Sequence, residues 1–181
     1  MAELTYPDSA AILGIHEDIV DGQPDSQRGV RTPAAIQSAL STVSVGHFGQ
    51  APETLHETAT ELLRLLVAEH PFVDGNKRTA LNTVVVLYEM NGHALPYDDH
   101  RIRSILKRFG IDATGVDTAA VATYLKSTAK PLSDAEGCSE RVRLADRATA
   151  ATGDERVAAI RQLAGLDRER NAETYERLAT E

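Results

Sequence analysis

Residues 54–92 read TLHETATELLRLLVAEHPFVDGNKRTALNTVVVLYEMNG, two helical runs joined by a short loop that contains Pro71 and Gly75. Thr54 and Glu57 have the spacing of a capping box, which predicts a helix beginning at Leu55. Leu55, Ala59, Leu62, Leu63, Leu66 and Val67 then fall on one side of it. The helix must stop near His70, because Pro71 disfavours helical geometry in the residue before it. A second helix runs from about Asn76 to Asn91, with Gly92 as its stop signal. Its interior from Leu81 to Leu87 is apolar nearly all round, Asn82 and Thr83 excepted. Such a helix belongs in the middle of a bundle. The fold expected is all-α, with the loop joining two central helices.

Chemistry is concentrated in that loop, His70-Pro71-Phe72-Val73-Asp74-Gly75-Asn76-Lys77-Arg78. The first N–H groups of the second helix have no intrahelical partners, so its start attracts phosphate. Gly75 permits unusual backbone angles and close approach of a ligand. Lys77 and Arg78 put two cations on a first turn where the helix dipole favours acids, as a site built for an anion would. Asp74 supplies the lone carboxylate that Mg²⁺ uses beside phosphate oxygens and water. Histidine is the side chain whose charge changes near neutral pH, and His70 can act as general base toward an incoming hydroxyl. Phe72 is read as an apolar anchor pointing inward. Each residue taken singly also has a structural explanation: a helix-end histidine, an Asp-Gly-Asn turn, a solvated Lys-Arg pair. Together, between the two most apolar helices, they favour function.

The rest of the chain frames the loop. Helices are expected over Ser9–Val20, from Pro33 to Leu40, over Asp98–Phe109 and over Asp117–Thr128. Residues 21–29 are rich in turn formers and read as a surface loop. After Lys130-Pro131 the sequence alternates charges with Ala and Leu, predicting helices over Ser139–Thr149 and Asp154–Ala164 and a third toward the end. Large apolar side chains are few there. The division expected is a catalytic domain over 1–130 and a charged helical extension over 131–181, either packed on the bundle or serving as a partner-binding arm. The domain is expected to stand without the extension.

Composition narrows the setting. Of 181 residues 42% are hydrophobic and 25% charged, ordinary for a soluble protein, and the net charge of −8 disfavours non-specific nucleic-acid or membrane binding. One cysteine, Cys138, excludes an internal disulfide and argues for a reducing compartment. No secretory signal or membrane-length apolar run is read, so a cytoplasmic location is expected. No Walker A loop and no metal-spaced histidine pair is present. Arg101, Arg103, Lys107 and Arg108 read as a solvated basic face.

The nine-residue loop resembles the signature of the Fic/Doc (Fido) superfamily, and Lys77 after Asn76 is similar to its Doc (death-on-curing) branch. Similarity extends from Ile12-Leu13-Gly14-Ile15-His16 through Gly29-Val30-Arg31 and Ile36-Gln37-Ser38-Ala39-Leu40 to Asn91-Gly92. The resemblance implies an all-α fold with His70 as general base, Asp74 as Mg²⁺ ligand, and Gly75, Asn76, Lys77 and Arg78 as nucleotide-binding elements. It implies Mg²⁺ and ATP, or another nucleoside triphosphate, and a protein substrate. The segment Val43–Gln50 is expected to be the flap that holds the target in extended form. AMP-transferring members carry Gly where Lys77 stands and a second Arg where Leu81 stands. Doc-type members share both departures and move the terminal phosphoryl group to a protein hydroxyl. Their target is a translation elongation factor, and a small antitoxin neutralises them. The alternatives kept open are AMP transfer and an inactive, partner-binding fold. The internal inhibitory pattern Ser/Thr-x-x-x-Glu of the family is missing from the chain.

Overall fold

The computed structural model describes residues 3–181. Among them are nine α-helices and one sheet of two short strands. The all-α expectation holds. Helices α1 (Ser9–Asp21), α2 (Pro33–Ser44), α3 (Leu55–Ala68) and α4 (Asn76–Met90) precede strand β1 (His93–Ala94). Then come α5 (Asp99–Asp112), α6 (Thr118–Thr128), strand β2 (Lys130–Pro131), α7 (Cys138–Ala150), α8 (Gly153–Arg170) and α9 (Ala172–Thr180).

Helix α3 starts as its sequence predicts. Thr54 Oγ1 accepts from Glu57 N at 3.2 Å while Glu57 Oε2 accepts from Thr54 N at 3.0 Å, the reciprocal capping box. Helix α4 is buried at every residue from Arg78 to Met90, the central position its unbroken apolar run requires. Two clusters meet on it. Leu81, Val84, Val85, Leu87 and Tyr88 pack with α2, α3, α5 and α6. Val86 and Met90 pack on the other side with Ala11, Ile15 and Ile19 of α1 and with Leu144, Ile160 and Leu163 of the C-terminal helices.

That second cluster shows that the segment after Lys130 is packed on the bundle and is no free arm. Leu144, Ile160 and Leu163 are at most 1% exposed, so not all the core-forming helices lie before Lys130. A buried ion pair from Arg141 to Glu89 ties α7 to α4. Pairing of β1 with β2 sets the chain's direction into the extension, with His93 opposite Pro131.

The α2 helix runs to Ser44, four residues past the expected Leu40, because Val43 is buried at 1% and holds the last turn on the core. Likewise α8 continues to Arg170, beyond the expected Ala164. Among the described residues no helix is long and apolar enough to cross a membrane.

Candidate active site

Helix α3 ends at Ala68 and Glu69 caps it, after which His70 takes a left-handed backbone with φ of 45°. Its side chain is exposed and accepts or donates no hydrogen bond among the described residues. Left-handed geometry costs a branched or bulky side chain energy and tends to mark sites where position matters more than comfort.

Pro71–Val73 is then fixed by the loop between α1 and α2. Arg31 N donates to Pro71 O at 2.8 Å and Val73 N donates to Gly29 O at 3.0 Å, so Val30 bridges Phe72 in antiparallel fashion. Only glycine serves at position 29. Its φ is 134°, and a Cβ there would stand 2.9 Å from Val73 Cγ2. The turn-rich segment read as plain surface loop is thus one wall of the site.

Phe72 is fully buried, as expected, and its ring stacks on His16 at 3.9 Å with planes 7° apart. His16 Nε2 lies 3.0 Å from Asp74 O. A carbonyl can only accept, so Nε2 carries the proton. Burial holds this imidazole below its usual range, and the neutral ring is the form that this contact uses. Asn76 closes the turn from the other side. Its Oδ1 accepts from Phe72 N at 2.9 Å and its Nδ2 donates to Phe72 O at 3.0 Å. The Asn76 side chain is therefore engaged in holding the loop, and what it offers an anion is its backbone N–H.

Asp74, Arg78 and the start of α4 converge. Gly75 is the N-cap, with φ of 78° and no side-chain cap, leaving the first N–H groups of α4 open. Asp74 Oδ1 accepts from Gly75 N at 2.5 Å and from Arg78 Nη2 at 3.1 Å, and Oδ2 accepts from Gln27 N at 3.3 Å. Burial raises the Asp74 pKa, but the Ser26 hydroxyl, the Gly75 N–H, the Arg78 charge and the Gln27 N–H together outweigh it. The net shift is downward, so the carboxylate stays ionised.

Arg78 is 2% exposed and also donates to Ser26 Oγ at 2.9 Å, yet its Nη1 is buried without a partner among the described residues. A buried guanidinium nitrogen left unpaired is costly, and an anion seated at the helix start would satisfy it. Lys77 is half-buried and in no ion pair among the described residues, with its stem beside Gly110 of α5. Leu81 is fully buried in the first cluster, so no cation follows Arg78 at that position.

The structure thus brings Asp74, Gly75, Asn76, Lys77 and Arg78 to one helix start, with His70 at the loop's opening. His16, Ser26 and Gln27 have no role legible in the local sequence, because their contacts lie 58, 52 and 47 residues away. His16 was visible within a stretch that carried the family resemblance. Nothing local marked Ser26 or Gln27.

The flap expectation is corrected. Helix α2 starts beside Pro71, where Thr32 N donates to Pro71 O at 3.1 Å, and runs away from it. Twelve helical residues carry Val45–Gln50 about 18 Å off. There a cavity of about 770 Å³ lies between Phe48, Ala51, His56, Thr60, Ala122 and Lys126, far from the loop. The basic residues of α5 are partly engaged: Arg103 pairs with Asp99 and Glu181, and Arg101 lies over the Tyr124 ring at 4.5 Å.

The central loop of the all-α bundle thus sets an ionised carboxylate and a buried arginine beside the unpaired backbone N–H groups of a helix start. A model of the Fic/DOC family matches residues 6–88, and this match supports the Fic/Doc superfamily for that part of the chain without distinguishing the Doc branch. Proteins of that family generally transfer nucleotide-derived groups to other proteins. Comparison with curated proteins and with solved structures gives no match.

Proposed function

We propose that this chain is a Doc-like transferase that moves the terminal phosphoryl group of ATP, or another nucleoside triphosphate, to a hydroxyl of a target protein. The observation that carries it is the unpaired, buried Nη1 of Arg78 beside ionised Asp74 at an uncapped helix start. Gly75, Asn76 and Lys77 would hold phosphate oxygens through backbone N–H groups and the Lys77 ammonium. Mg²⁺ fits this donor set, since it takes one or two carboxylates and fills its shell with phosphate and water. Among the described residues no cluster of three metal-binding side chains competes for it. When bound, the ion would neutralise charge developing on the transferring group.

The exposed His70 would take the proton of the target hydroxyl as its oxygen bonds to the γ-phosphorus. The bond from that phosphorus to the β-phosphate oxygen breaks, and nucleoside diphosphate leaves with the electron pair. Catalysis of this kind rests on positioning and charge. Lys77, where AMP-transferring relatives have Gly, and Leu81, where they have Arg, disfavour the pose that exposes the α-phosphate.

The target itself would lie along Gly29–Arg31. Pairing with Pro71 and Val73 leaves the N–H and C=O of Val30 pointing away from the loop, an open strand edge beside His70. A translation elongation factor is the target, and a small antitoxin the partner, that the Doc resemblance suggests.

The deciding experiment is double labelling. With Mg²⁺ present, ATP labelled at the γ-phosphate should label the target, while ATP labelled at the α-phosphate should not. Retention of the α-label would replace the phosphoryl reading with AMP transfer. Absence of both labels on any target would favour an inactive binding fold.

A further inference from the structure

The C-terminal helices have no counterpart in the matched segment 6–88, yet α8 reaches the elements that carry the active loop. Arg161 and Arg168 stand seven residues apart, two turns of α8, and so share a face. Arg161 grips Asp18 of α1 through both ends of its fork, Nε to Oδ2 at 3.0 Å and Nη2 to Oδ1 at 2.6 Å. Arg168 donates from Nη1 to Asn82 Oδ1 of α4 at 2.8 Å and approaches Asp18 at 3.8 Å. Asn82 is fully buried and returns a bond to Ala164 O of α8 at 3.1 Å. One face of α8 therefore clamps α1 and α4 together.

Those two helices hold the loop. Asp18 and His16 are two residues apart, about 200° around the helix, so they face opposite ways. Asp18 faces the clamp while His16 stacks on Phe72 and contacts Asp74 O. Further along α1, Ile19 and Val20 pack under Gly75, where an added Cβ would lie 3.6 and 3.5 Å from them. Helix α4 begins at the loop itself. Gly14 makes the crossing feasible, because a Cβ there would stand 2.8 Å from Arg161 Cδ.

We propose that Arg161, with Asp18, is a positioning residue: the C-terminal extension braces α1 so that His16 keeps Phe72 and Asp74 in register for transfer. The functional half of this rests on the transferase reading above. The structural half is read independently of it.

The test uses the full chain and three variants. Arg161→Ala removes the brace. Gly14→Ala displaces Arg161 while favouring the α1 helix intrinsically, so it separates position from stability. Arg147→Ala breaks only the surface pair with Glu155 inside the extension and serves as control. The readouts are the melting temperature, the transfer rate at saturating nucleotide, and the nuclear magnetic resonance shifts of the His16 ring protons, which the stacked Phe72 displaces. Both brace variants should move the His16 resonances toward unstacked values and slow transfer by roughly tenfold, within the range that small misplacements cost. Arg147→Ala should do neither.

A lowered melting temperature with unmoved His16 resonances and unchanged transfer would overturn the proposal, leaving the extension as ballast. Displaced resonances with unchanged transfer would also overturn it. If the wild-type chain transfers no label, the transferase reading fails, and the His16 resonances alone decide whether the brace exists.

Discussion

His70 combines two demands that conflict. Its backbone is left-handed, at φ of 45°, where glycine is comfortable and histidine is not. Retaining histidine there makes sense if the imidazole performs the chemistry. Two substitutions divide these roles. His70→Gly should raise stability by about 1 kcal/mol in denaturant titration, because the strain of a side chain in that region is removed. His70→Ala keeps a Cβ and the strain, so its stability should stay near wild type. Both should lose transfer by roughly 10²–10⁴-fold, the usual loss for a general base. Wild-type transfer in both variants would exclude His70 from the mechanism.

Helix α9 shows how an element is fastened by charge. Asp99, on the first turn of α5, accepts from Arg103, from Thr174 at 2.7 Å and from Arg177 at 2.6 Å, the last two on α9. The Arg103 hydrogen bonds, helped against desolvation by Thr174 and Arg177, hold its carboxyl down at about 2. A depressed folded-state pKa means stability that is present above the unfolded value of 3.8 and lost as pH falls through about 2. The other anchor behaves oppositely. Burial raises the pKa of Asp167, which accepts from Tyr175 Oη at 2.5 Å and from Tyr97 Oη at 3.3 Å, so acid does not strip it. In an acid titration the contact of α9 with α5 should therefore loosen between those two values while Tyr175 stays seated. Chemical shifts of Thr174 and Arg177 would report it, and Asp99→Asn should abolish their pH dependence. A transition unchanged in Asp99→Asn would assign the loosening to another group.

At the scale of the molecule, α4 serves two cores, and the second is completed by the C-terminal helices. Ending the chain at Lys130 would bare Ile15, Ile19, Val86 and Met90 and strip Arg141 from buried Glu89. Losing the burial of Leu144, Ile160 and Leu163 alone costs about 5–9 kcal/mol at the usual value per large side chain. Leaving Glu89 buried without its cation adds to that. The sum is comparable with the whole stability of an ordinary domain. The chain ended at Lys130 is expected to melt without cooperativity or to aggregate. A sharp thermal transition in that protein would instead establish 1–130 as a self-sufficient domain.

Much of this was legible along the chain. The capping box at Thr54, the break at Pro71 and the unbroken apolar run of α4 act over a few residues, through hydrogen bonds and sterics that neighbours in sequence decide. The same holds for Asp74 to Arg78, which are adjacent because one turn and one helix start bring them together. What sequence order does not encode is which distant surfaces meet. Position along the chain suggests Val43–Gln50 as the flap, but it cannot tell which end of α2 touches Pro71. Tertiary packing put Ser26, Gln27 and Gly29 there instead. The extension reads as charged and dispensable because its few apolar residues fall on one face each. Burial is a property of what that face lies against, and only the fold supplies Ile15, Val86 and Met90 as its partner.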